Sequence, residues 1–184
     1  MRAPDDILEI FLGPGEFYFG EGKTRIRTLL GSCVAITLWH PTRLIGGMSH
    51  YMLPNRPPHR KKESPLDGRY ADEVMDMFMR ELGRSHSRPT EYQVKIFGGG
   101  RMFEPSAKKG APRNLVDISA RNVHAGRELV NRYGFAFTAE DLGGSGHRNV
   151  MLDLWSGDVW VKKAPKVRTL PSEEHRLPRW LSSK

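Results

Sequence analysis

The first fifty residues divide into short runs that alternate apolar and polar positions. ILEIFLG (7–13), EFYF (16–19) and RIRTLL (25–30) are rich in branched and aromatic residues and are separated by Gly and Pro, a pattern of strands divided by turns. CVAITLW (33–39) and LIGGMSHYML (44–53) follow, joined by HPTR, and then a polar stretch over 55–69 with basic residues at Arg56, Arg60, Lys61 and Lys62. The period then changes. Tyr70, Val74, Met77, Phe78 and Leu82 repeat at three to four residues, which predicts a helix over roughly 68–82, with Asp67 as N-cap and Gly83 beyond its end. YQVKIFGGG (92–100) reads as a strand running into glycines. A polar loop over 104–116 leads to a second helix at roughly 120–133, with Val123, Leu129, Val130 and Tyr133 inward. FAFTAED, RNVMLDL and DVWVK complete the strands, the last two turning at Ser156-Gly157. The order predicts an α/β fold, mixed and mostly antiparallel in its sheet pairing.

Composition narrows the class. A chain of 184 residues suits one domain with a substantial core. No apolar run is long enough to span a bilayer, and acids stand where a secretory leader would be basic, so a cytoplasmic protein without membrane insertion is expected. The formal charge is +8. Five of those charges fall in residues 162–184, where seven Lys and Arg face only Glu173 and Glu174, between Pro165, Pro171 and Pro178. The chain thus reads as a domain over 1–163 and a basic, proline-punctuated tail over 164–184. Basic charge alone suits nucleic acid, an acidic protein or simple solubility. The lack of an interleaved aromatic and basic platform argues against nucleic acid. FGGG (97–100) and Gly143-Gly144 lack the Lys-Ser/Thr ending of a phosphate loop and read as tight turns. His124 and His147 show no metal-ligand spacing, and no metal or cofactor is expected.

One thiol stands out. Cys33 is the only cysteine, placed directly after Gly31-Ser32 at the start of an apolar run. A lone cysteine is often no more than a small buried hydrophobe. The hairpin offers another reading, because a symmetric turn over His40–Arg43 pairs Trp39 with Leu44 and sets Cys33 opposite His50. A bulge at Gly46-Gly47 would shift that register by one. An adjacent imidazole lowers a thiol pKa and can serve as its base. The turn at Gly31 and Ser32 would leave backbone N–H groups free near the thiol for an oxyanion.

Five motifs, TLLGSCVAITLWHP, GGMSHYMLP, VKIFGGGRMF, RNV (121–123) and DLGGSGHRNVMLDLWSGDVWVK, occur in an order that resembles the CheD family of chemoreceptor glutamine deamidases. The resemblance spans roughly residues 10–163. It implies a three-layer α/β sandwich similar to cysteine toxin-type deamidases, with Cys33 as nucleophile, His50 as base and Thr28 as the nearest match to the third member of the triad. It implies hydrolysis of glutamine side chains on chemoreceptor cytoplasmic helices to glutamate, through a cysteine thioester, with release of ammonia. It also implies a CheC-type phosphatase as a partner in some species. Ser119, where the family often has glycine, and GHR at 146–148 depart from its pattern. An adaptor that binds receptor helices or the phosphatase without catalysis is the alternative.

Overall fold

The computed structural model describes residues 4–58, 65–102 and 114–164, so the tail over 164–184 lies outside the described residues from 165 onward. Among the described residues nine strands form two sheets. The first sheet orders β1 (Leu8–Leu12), β3 (Thr24–Leu30), β8 (Arg148–Asp153) and β9 (Val159–Lys163). The second orders β2 (Phe17–Glu21), β5 (Ile45–Ser49), β4 (Val34–His40), β6 (Gln93–Gly98) and β7 (Ala136–Leu142). Only β1 with β3 and β6 with β7 run parallel, so the pairing is mixed and mostly antiparallel.

The alternation of side chains along β4 explains the layers. Val34, Ile36 and Leu38 point to one core, which α1 (Ala71–Arg84) and α2 (Asn114–Arg132) cover with Val74, Met75, Phe78, Leu129 and Val130. Ala35 and Trp39 point the other way and meet Leu12, Ile26, Leu30, Val150 and Leu152 of the first sheet. Period-two alternation thus feeds two cores from one strand. Sheet, sheet and helices make the three layers the motifs imply.

The helices differ in detail from the sequence reading. The N-cap of α1 is Tyr70, which offers no side-chain bond to the first turn. Asp67 instead accepts the Arg69 backbone N–H at 3.0 Å. Asp72 and Glu73 in the first turn supply the negative charge that favours a helix N-terminus. Gly83 lies inside the helix, and Met75 is buried where Met77 was expected inward. The second helix begins at Asn114, six residues before the periodic stretch that signals it.

The β4–β5 turn is also displaced. His40 pairs with Ile45 and Trp39 with Gly46, so Pro41–Leu44 form a four-residue loop closed by the Leu44 N–H on the His40 carbonyl at 2.9 Å. Leu44 has φ of 54° and is exposed. Its side chain resembles a strand residue, but its backbone belongs to the turn. Gly46 sits where a Cβ would lie 2.2 Å from the Leu38 carbonyl oxygen. Gly46→Ala should therefore force β4 and β5 apart and cost about 1–3 kcal/mol, read as a lower urea midpoint with an unchanged slope.

Candidate active site

Three chain segments meet at the edge between the two sheets. Thr28 faces inward from β3, between the buried Ile26 and Leu30. His50 follows β5 directly and is 2% exposed. Cys33 occupies the connection from β3 to β4 and is half-buried against the inter-sheet core.

The displaced turn changes how Cys33 and His50 relate. Val34 and Tyr51 form an antiparallel bridge, each N–H bonding the other's carbonyl at 3.0 and 2.9 Å. His50 is therefore level with Ala35 rather than with Cys33. The shift from the sequence-based register is two residues, an even number, and an even slip leaves every side chain on its original face. Cys33 and His50 remain diagonal neighbours on the inter-sheet face, where side chains across a strand pair are still within reach. No hydrogen bond joins the thiol to the imidazole in this structure.

Thr28 and His50 touch. Thr28 Oγ1 lies 2.8 Å from His50 Nδ1 and donates to the Leu12 carbonyl at 2.8 Å. A carbonyl only accepts, so the single hydroxyl proton is spent on Leu12. Nδ1 must then carry a proton and donate to Thr28 Oγ1. The Leu12 oxygen at 3.5 Å from Nδ1 favours the same tautomer. Nε2 is left as a bare acceptor. The His50 backbone is fixed as well, its N–H on the Glu16 carbonyl at 3.0 Å and its carbonyl on the Gly15 N–H at 2.7 Å.

Burial sets the charge state of both groups. It pushes the Cys33 thiol above the ordinary thiol value, against smaller opposing contributions from the Ser32 hydroxyl and from the backbone N–H of Cys33 itself. Burial likewise pushes the His50 imidazole below the ordinary histidine value, against the Leu12 carbonyl and the Glu16 charge. Removal of charged forms from water is the common cause. The resting pair is thus a neutral thiol beside a neutral imidazole, contrary to the thiolate that the sequence reading expects.

The turn at Gly31-Ser32-Cys33 is held from behind by the glycine run. The Gly100 N–H donates to the Gly31 carbonyl at 2.8 Å and the Gly99 N–H to the Cys33 carbonyl at 2.8 Å. The φ of Gly98 is 117°, and a Cβ there would lie 2.3 Å from the Cys33 oxygen. Only glycine allows that approach. Gly143 binds the Gly98 carbonyl from the other side at 2.8 Å. The first glycine turn thus holds the backbone that carries the thiol, and the second holds the first. Asn122 is the residue that sequence reasoning passed over. It is fully buried on α2, and its Nδ2 donates to the carbonyls of Ser32 at 3.2 Å and Met52 at 2.8 Å. Its signal was an amide at helical spacing with the inward Gly126, Leu129 and Val130.

Two cavities, of about 560 and 460 Å³, flank α2, and neither is lined by Cys33, His50 or Thr28. Among the described residues no cluster of His, Cys, Asp or Glu could hold a metal ion, and no helix is long and apolar enough to cross a membrane.

A family model described as CheD chemotactic sensory transduction matches residues 52–163. A Pseudomonas syringae pv. tomato protein named "Probable chemoreceptor glutamine deamidase CheD" is 48% identical over 165 residues, covering 90% of this chain and 95% of that one. The chain belongs to the CheD family. A second CheD relative, from Dechloromonas aromatica and named "Probable chemoreceptor glutamine deamidase CheD 3", is 49% identical over 86% of this chain and 89% of its own. A third, from Leptospira interrogans, is 40% identical over 87% of this chain and 95% of its own. Among solved structures, Bacillus licheniformis hypothetical protein YfiH superposes with a TM-score of 0.41 at 12% identity, covering 68% of this chain and 49% of that one. That likeness is too loose to bear on the site.

The neutral resting pair has a measurable consequence. The raised thiol value means that iodoacetamide alkylation of Cys33 in the native protein should be slow at neutral pH and climb through the range above the ordinary thiol pKa of about 8.5. Mass spectrometry of samples quenched over time reads the rate. A rate already at its plateau at pH 7 would instead mean a standing thiolate–imidazolium pair.

Proposed function

We propose that this chain is a chemoreceptor glutamine deamidase that hydrolyses a glutamine side-chain amide to glutamate, with Cys33 as nucleophile and His50 as base and acid. Membership of the CheD family supports the substrate. The observation that carries the chemistry is the Thr28–His50–Leu12 arrangement, which leaves Nε2 of a neutral imidazole as the free base on the face that Cys33 shares.

The reaction balances with these groups and one water. Cys33 Sγ attacks the glutamine Cδ and its proton passes to His50 Nε2. The oxygen of the tetrahedral intermediate is held by the backbone N–H groups of Ser32 and Cys33, donors of a kind worth about 3–4 kcal/mol each. Collapse breaks the C–N bond, and the imidazolium gives its proton to the departing nitrogen, which leaves as ammonia. A water then loses its proton to Nε2 and attacks the thioester. Collapse breaks the C–S bond, the sulfur regains its proton from His50, and the product departs as a carboxylic acid that gives its proton to the released ammonia in solution.

A half-buried thiol that lines neither of the two cavities beside α2 suits a side chain presented by another protein better than a free small molecule held in either of them. A protein substrate fits that setting. A non-catalytic adaptor would bind the same helices but needs neither a fixed tautomer nor a thiol beside it.

Incubation of the protein with a chemoreceptor cytoplasmic fragment, followed by peptide mass spectrometry, tests the reading. Glutamine should become glutamate with the native chain and stay unchanged with Cys33→Ala or His50→Ala. Conversion by Cys33→Ala would rule the thiol out, and binding without conversion by the native chain would favour the adaptor. Thr28 acts through His50. Thr28→Val, which loses both bonds, should lower kcat by roughly a hundredfold, whereas Thr28→Ser should keep most of it.

A further inference from the structure

The three carbonyls of the nucleophile turn are each taken by a donor from behind. Gly31 is bound by Gly100, Cys33 by Gly99, and Ser32 by Asn122 Nδ2 at 3.2 Å. Two of these ties are backbone to backbone and would survive any substitution that keeps the loop. The third is a single side chain. Asn122 is 0% exposed, and its other Nδ2 proton binds the Met52 carbonyl, two residues past His50, at 2.8 Å. Two carbonyl acceptors settle which end of the amide is nitrogen, because the flipped amide would set oxygen against oxygen. Its Oδ1 is buried with no partner among the described residues. A buried acceptor without a donor destabilises a fold. What Asn122 contributes in this structure is its two donated bonds.

The bond to Ser32 has a geometric consequence at the next atom. In a planar trans peptide the C=O and the following N–H point in opposite directions. A Ser32 carbonyl turned toward α2 therefore turns the Cys33 N–H away from α2. That N–H donates to no backbone carbonyl among the described residues.

We propose that Asn122 is the positioning residue that aims the Cys33 N–H at the oxyanion, by holding the Ser32 carbonyl on the opposite edge of the same peptide plane while tying the His50 segment through Met52. The proposal rests on Cys33-dependent deamidation. It separates two properties of the site. Attack on an amide carbonyl builds an oxyanion and needs the aimed N–H. Displacement of iodide from iodoacetamide occurs at a saturated carbon, builds no oxyanion, and needs only the thiol.

The test compares Asn122→Ala with the native chain in two assays: ammonia release from a purified chemoreceptor cytoplasmic fragment, and iodoacetamide alkylation of Cys33. The variant should lose about a hundredfold in kcat, with KM and the alkylation rate each within about twofold of native. Val130→Ala, a cavity in the helix-side core two turns along α2, controls for lost stability and should keep its kcat. If Asn122→Ala does not fold, Asn122→Ser, too short to reach both carbonyls, should show the same split. A folded variant whose kcat stays within about threefold of native overturns the proposal. So does a fall in kcat matched by an equal fall in alkylation. A native chain that releases no ammonia overturns the deamidase reading, and this one with it; native release with an unaffected Asn122 variant overturns this one alone.

Discussion

The single hydroxyl proton of Thr28 links the two sheets at the site. Thr28 belongs to β3 of the first sheet and His50 follows β5 of the second, and the path from Leu12 through Thr28 to Nδ1 is the polar contact between them at this edge. Around it the inter-sheet core is apolar, built from Leu12, Ile26, Leu30, Ala35 and Met48. In such surroundings an unpaired polar atom is costly, so the hydrogen-bond order is strongly enforced. The carbonyl dictates the hydroxyl, the hydroxyl dictates Nδ1, and Nδ1 dictates that Nε2 is free. Each step follows from which groups can donate. A valine at position 28 would fit the strand pattern but would leave Nδ1 to the more distant Leu12 oxygen at 3.5 Å.

The second sheet and α2 perform the matching task for the thiol. Cys33 lies in a connection rather than a strand, where backbone is ordinarily least constrained. Here the end of β6 approaches so closely that Gly98, with φ of 117°, has no room for a side chain against Cys33, while Gly99, with φ of 65°, is crowded by Val123 of α2. Gly99 and Gly100 donate to the turn, and Gly143 anchors Gly98 in its place. Arg148, 3% exposed, reaches the same region and pairs with Asp141 at 3.2 Å while also donating to the Gly143 carbonyl. The glycine turns thus serve as a backing plate for three residues of backbone.

Much of this was legible in the sequence, and the part that was not has a physical reason. Period-two runs such as that of β3 located strands with one face buried against a core, whereas β4 and β5, buried on both faces, showed as continuous apolar runs. The two helices were visible in period but not in extent, since α2 starts before its apolar stripe does and α1 lacks the side-chain cap that would mark its start. The hairpin register was misread by two because Leu44 looks like a strand residue and stands in a turn with positive φ. Composition cannot report a backbone angle. The side-chain face was nevertheless right, since parity survives an even slip. Thr28 was named only through the family resemblance, as its contact with His50 crosses from one sheet to the other and no periodicity encodes it. Asn122 was hidden for the opposite reason: one amide in an apolar stripe reads as an ordinary helix residue until the carbonyls it serves are in view.

The neutrality of the resting pair also fits the chemistry required of it. Burial raises the thiol and lowers the imidazole, so each opposes a standing charge for the same reason. A thiolate–imidazolium pair held permanently would be more reactive toward any electrophile, including adventitious ones. In the proposed deamidation a neutral pair forms its charges only as the thiol meets a carbonyl, and the proton that leaves sulfur is the one the departing nitrogen then needs. An amide nitrogen is a poor leaving group unless protonated, so a base that enters the step empty and leaves it loaded supplies the acid at the right atom and moment. The lowered imidazole value helps twice: it keeps Nε2 free at neutral pH, and it makes the imidazolium a stronger acid once formed. The apolar shell that disfavours charge in the resting site is therefore also what drives the proton onward to the amide nitrogen.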